Sequence, residues 1–114
     1  MAIPDAIRIV IESILVSYIE QKIPPHVRNK VRLSYRFRGN TITLFEHRPP
    51  FRTPGEWTDT VVAQFRYDPG GNNWTLYCAD RNSRWHRYHG LEPTEEFDLL
   101  LQEVNEDPTG IFWG

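Results

Sequence analysis

The ten residues RNSRWHRYHG, 81 to 90, hold three arginines, two histidines, a tryptophan and a tyrosine. Histidine exchanges protons near neutral pH. Guanidinium groups grip phosphate and carboxylate with a planar fork of donors, and aromatic rings stack on nucleobases. The stretch therefore admits acid–base catalysis, capture of an anionic polymer, or simply an edge strand. The outcome depends on which side chains share a face. Metal binding is disfavoured: the odd separation of His86 and His89 puts them on opposite faces of a strand. Cys78 is the single cysteine, and it falls on the core side of its segment, where a thiol is inert. Gly70-Gly71 sits between two strands rather than ahead of a helix, so it is no phosphate loop. Asp68, Asp80 and Asn82 lack calcium-loop spacing. No metal, no cofactor and no assigned catalytic residue are expected.

The elements that must position these groups read as follows. Ala6 to Lys22 has helical spacing, with Ile7, Val10, Ile11, Ile14, Leu15, Tyr18 and Ile19 on one stripe. Pro24-Pro25 ends it. VRLSYRFRG alternates, with Val31, Leu33, Tyr35 and Phe37 inward and Arg32, Ser34, Arg36 and Arg38 outward. Gly39-Asn40 suits a two-residue hairpin turn, which puts Arg36 opposite Thr43 and Arg32 opposite His47. In TITLFEH, Ile42 and Leu44 point in while Phe45 and His47 point out. Residues 48 to 59 form a connection that three prolines keep irregular. VVAQFRY is a third strand, with Val61, Ala63, Phe65 and Tyr67 inward and Val62, Gln64 and Arg66 outward. WTLYCA is the fourth, with Trp74, Leu76 and Cys78 inward and Tyr77 outward. A two-residue loop then sends RWHRYH back with Trp85 inward and Arg84, His86 and Tyr88 outward. An odd loop length would reverse that last assignment. Glu92-Pro93 opens a second helix buried along Phe97, Leu100, Leu101 and Val104. Ile111, Phe112 and Trp113 should dock on the body. The fold class is α+β: an N-terminal helix, a five-stranded antiparallel meander and a C-terminal helix, in one domain spanning 1 to 114.

Composition agrees. A chain of 114 residues, 39% hydrophobic and 25% charged, suits one globular domain and excludes a disordered tract. One cysteine excludes an internal disulfide framework. The apolar run from 7 to 19 is interrupted by Arg8 and Glu12 and is too short to span a bilayer. No signal-peptide pattern precedes it, so a soluble, cytoplasmic protein with no membrane partner is expected. Charge is unevenly spread: residues 25 to 91 carry net +6 and residues 92 to 114 net −7.

The outward set of the sheet is then Arg32, Arg36, Arg38, Phe45, His47, Arg66, Tyr77, Arg84, His86 and Tyr88, with Gln64 among them. Arginine interleaved with rings is what single-stranded RNA or DNA recognition uses, so a nucleic-acid or other polyanion-binding module is the first expectation. The second is a metal-independent ribonuclease with His47 and His86 as acid–base pair and Arg36 and Arg66 stabilising developing charge. Glu46 is a weaker base, since it faces away from His47. The third is a protein-interaction module, or a homodimer, using Phe51 and Trp57 of the Pro-rich loop 48 to 59 and the tail residues Phe112 and Trp113.

The strings IPPHVRNKVRLSYRFRGNTITLFEHRPP, AQFRYDP, DRNSRWHRYHG and DPTGIFWG together resemble a family of small bacterial proteins known only as a domain of unknown function, three-zero-two-four in its series. The resemblance runs from about Ile23 to Gly114. It implies a bacterial, stand-alone domain. It brings no established activity, so no functional residue is carried over from it.

Overall fold

A computed structural model describes residues 3–50 and 56–113. Helix α1 (Asp5–Lys22) leads through a 3-10 turn (Pro25–Val27) into strands β1 (Arg32–Arg38), β2 (Thr41–Arg48), β3 (Thr58–Asp68), β4 (Asn73–Ala79) and β5 (Trp85–Arg87), and helix α2 (Phe97–Glu106) closes the chain. The sheet order is β1-β2-β3-β4-β5 with every neighbouring pair antiparallel. This is the α+β meander between two helices that the alternation predicts.

The β1–β2 hairpin has the expected register, Arg36 opposite Thr43 and Arg32 opposite His47. Gly39 has φ +59° while Asn40 does not enter the positive region, the pattern of a hairpin turn that needs glycine first. Asn40 then ties the turn to β3: its carbonyl accepts from the Tyr67 N–H at 2.8 Å and its amide donates to the Tyr67 carbonyl at 2.9 Å.

The β2–β3 register slips by one between Leu44 and Phe45. Leu44 faces Ala63, but Phe45 faces Val61, and Val62 is the extra residue of a bulge. Val62 is therefore buried and Val61 lies on the outer side with Phe45, the reverse of strict alternation. β3 also begins at Thr58, so Thr58 and Asp59 belong to a strand rather than to the irregular connection.

Both helices pack on the same face of the sheet. Ile11 and Leu15 of α1 join Ile42, Leu44, Phe65, Trp74 and Leu76 in one core with Phe97, Leu100, Leu101 and Val104 of α2. Phe97 anchors α2, with ring centroids 5.0 Å from Phe65 and 4.9 Å from Trp74. The α1 stripe is narrower than its spacing suggests, for Val10 is 57% exposed. Val10 lines a groove of about 540 Å³ beside Phe97 and Leu99. Helix α2 starts at Phe97, later than Pro93 implies. Thr94 exchanges backbone hydrogen bonds with Trp74 at 2.7 and 3.0 Å, which holds the preceding residues extended along β4.

The tail turns back through Asp107, which adopts φ 43° and accepts from the N–H groups of Phe112 and Trp113 at 3.0 and 2.9 Å. Phe112 is buried against Tyr88, and Trp113 is half-buried with its indole N–H on the Val104 carbonyl. Ile111 stays exposed.

Candidate functional site

Two helices lie on one face, and among the described residues no helix covers the other face of the sheet. Its outward side chains come from every strand. Arg32, Ser34, Arg36 and Arg38 line β1, and Thr43, Phe45 and His47 line β2. Asp59, Val61, Gln64 and Arg66 line β3, Thr75 and Tyr77 line β4, and Trp85 and Arg87 line β5.

Three arginines on this face have their guanidinium groups over rings. The Arg32 guanidinium carbon is 4.2 Å from the Trp57 ring centre, that of Arg36 is 5.4 Å from Phe45, and that of Arg66 is 3.7 Å from Tyr77. Arg66 is also held by Gln64, which accepts from its Nε at 2.7 Å and donates to Thr43 at 3.1 Å. Among the described residues, none of Arg32, Arg36, Arg38 and Arg66 has a carboxylate within 4 Å; the arginines so paired are Arg8, Arg48 and Arg87. Among the described residues, Arg32, Arg36 and Arg66 thus stand over rings with no carboxylate in reach, whereas Arg87 on the same face is paired with Glu92.

His47 occupies the middle of a hydrogen-bonded line across three strands. Its Nε2 is 2.6 Å from Ser34 Oγ on β1, and its Nδ1 is 2.7 Å from Asp59 Oδ1 on β3. The Phe45 ring lies against it, with centroids 6.3 Å apart and planes within 23°. The His47 side chain is 22% exposed and that of Asp59 71%.

Seven of the ten residues expected to face outward together do so: Arg32, Arg36, Arg38, Phe45, His47, Arg66 and Tyr77. Arg84, His86 and Tyr88 do not join them. The loop before β5 has three residues, 81 to 83, closed by the Ser83 N–H on the Asp80 carbonyl and the Asp80 N–H on the Arg84 carbonyl. Ser83 takes φ 61°, the left-handed residue that completes such a loop. The odd count pairs Ala79 with Trp85 and Cys78 with His86, reversing the strand. Tyr88 is consequently a core residue, with its hydroxyl donating to Glu103. That hydrogen bond, burial and the Glu103 charge push its pKa up to about 12. Arg84 closes the loop opposite Asp80, ahead of β5, and His86 sits on the helix side of the sheet bound to Asp80 at 2.8 Å. The His86 hydrogen bond, together with the N–H groups of Arg84 and Asn82, holds the Asp80 carboxyl below its ordinary range. His47 and His86 lie on opposite faces with β3 and β4 between them, so this structure does not assemble an acid–base pair from them.

Trp57, Trp85, Arg87, Ser34 and Asp59 complete the face. Ser34 was legible as outward in the sequence, but Asp59 was not, because it precedes the recognisable strand pattern and depends on the bulge. Of the interaction-loop residues, Trp57 is half-buried beneath Arg32, and Phe51 lies outside the described residues. Cys78 is buried, which pushes its thiol pKa up and keeps it unreactive. Among the described residues no cluster of His, Cys, Asp and Glu could hold a metal ion, and no helix is long and apolar enough to cross a membrane.

The fold and site define a small two-layer α+β protein whose open sheet face is rich in arginine and aromatic rings. The chain belongs to the family described as Domain of unknown function (DUF3024), whose model matches residues 3–114. No curated protein and no solved structure matches it.

Proposed function

We propose that the protein binds single-stranded nucleic acid along the uncovered face of its sheet. The observation that carries this reading is the set of stacked arginines without counter-charge, Arg32 on Trp57, Arg36 on Phe45 and Arg66 on Tyr77. A guanidinium over a ring still has terminal NH2 donors for phosphate and can offer a plane to a base, although the Nε of Arg32 and of Arg66 is already given to the Arg28 carbonyl and to Gln64. Stacking tolerates any sequence, because every base has a π-face. Trp85 and Arg87 extend the same surface to the last strand.

The test is a titration with labelled single-stranded RNA and DNA, in chelator, from low to physiological salt. Affinity should fall steeply with salt, and Arg36→Ala or Arg66→Ala should each reduce the log–log slope by about 0.7, one phosphate's worth for a single strand. Tyr77→Ala removes a stacking platform worth about 1–3 kcal/mol, hence roughly 5- to 150-fold in affinity. Tyr88→Phe, altered inside the core, should leave affinity intact. Absence of salt-sensitive binding to either polymer would sink the reading.

A further inference from the structure

We propose that Ser34 is an activated nucleophile that attacks phosphate esters, with His47 as its general base and Asp59 as the positioning residue. The relay is separate from strand binding, since a small phosphoryl compound can engage it without any polymer.

The hydrogen bonds assign the roles. A carboxylate accepts only, so the 2.7 Å contact with Asp59 requires the proton of neutral His47 to sit on Nδ1. That leaves the Nε2 lone pair facing the Ser34 hydroxyl at 2.6 Å, the direction in which a serine proton must leave. The two hydrogen bonds, one at each ring nitrogen, fix the orientation of the imidazole. Nucleophile, base and orienting acid thus stand in the order that defines a Ser–His–Asp relay, which is recognised by geometry rather than by chain position. Here three neighbouring strands supply one member each.

The flanking charges select the substrate class. Arg32 and Arg36 are the neighbours of Ser34 on its own strand face, two residues to either side and roughly 7 Å away along the strand. Paired cationic clamps suit a phosphoryl group, which carries several anionic oxygens, better than a single carbonyl oxyanion. In the reaction, Ser34 Oγ bonds to phosphorus while its proton passes to His47 Nε2. The ester P–O bond breaks, and the leaving alkoxide takes that proton. Water then attacks the phosphoseryl group, giving a proton to His47, which returns it to Ser34 Oγ as the Oγ–P bond breaks. The net change is phosphate ester plus water to alcohol plus phosphate.

The decisive experiment treats the folded protein with a dialkyl fluorophosphate and maps the adduct by mass spectrometry. Ser34 Oγ replaces fluoride on phosphorus, so the expected result is one dialkylphosphoryl group per chain, confined to Ser34. The exposed serines Ser13, Ser17 and Ser83 serve as internal references. Ser34→Ala, which loses only a hydroxyl, should abolish the adduct. Asp59→Asn should slow labelling tenfold or more and displace the acid limb of its pH profile, an effect that a merely structural aspartate would not produce. Turnover of p-nitrophenyl phosphate or of bis(p-nitrophenyl) phosphate then distinguishes monoesters from diesters, and either supports the proposal. Labelling of Ser34 no faster than the reference serines would overturn it. So would turnover of p-nitrophenyl acetate with no phosphoryl adduct. Labelling confined to Ser34 in a protein that shows no salt-sensitive strand binding would uphold this proposal while the preceding one fails.

Discussion

Tyr88 shows how one side chain can leave an expected surface and acquire a different physical role. Its phenol donates to Glu103 inside the core, and the pKa pushed up to about 12 states that its ionised form is costly there. An unfolded tyrosine ionises near its ordinary value of 10.0. Because the folded value is the higher one, this group's contribution to stability is complete below about pH 10 and is lost as pH rises toward 12. Tyr18 is pushed up to about 12 as well, by burial. An absorbance titration of tyrosinate should therefore find at least two phenols ionising only near pH 12, and Tyr88→Phe should delete one of them. The variant should also lower stability at pH 7 by about 1 kcal/mol, the net worth of a partly shielded hydrogen bond to a carboxylate. His47 illustrates the opposite case, a residue found where alternation puts it but with partners that alternation alone does not supply.

Loops and bulges, rather than strands, separate the readable from the unreadable part of the fold. VRLSYRFR alternates perfectly, so the β1–β2 register and the outward placement of Arg32, Arg36, Phe45 and His47 follow from sequence. The bulge is invisible because Val61 and Val62 are the same residue type; no exchange of polar for apolar marks the slip. Asp59 reaches the outer face only through that slip. The three-residue loop at 81 to 83 is equally silent, since it uses Ser83 where glycine would have announced a left-handed residue. Such a conformation costs a side-chain-bearing residue roughly 1–2 kcal/mol. Ser83→Gly should accordingly raise the urea midpoint, by up to about 1 kcal/mol in stability once glycine's extra unfolded-state entropy is counted. The β-branched Ser83→Val should lower it by a similar amount. A reversal of that order would mean that the loop does not hold the parity of β5 as described.

At the level of the whole molecule, two layers carry opposite charge. The segment 92 to 114, on the helix side, holds seven acidic residues and no basic ones, while the far side of the sheet presents the arginines. The layers hardly neutralise each other; among the described ion pairs, Arg87–Glu92 at 3.4 Å alone joins the sheet to this acidic segment. A molecule of net charge −2 should, by its sum, pass through a cation exchanger at pH 7. An adsorbent meets a face rather than a sum. The protein should therefore be retained on a sulfonate or heparin column and elute early once Arg36 and Arg66 are changed to alanine; flow-through of the unaltered protein would contradict the two-sided distribution. The helices lying on one side of the sheet thus make the chain an electrical dipole, and copies collected on any anionic surface should share one orientation, rings and guanidinium groups down and the acidic helix turned toward the solvent.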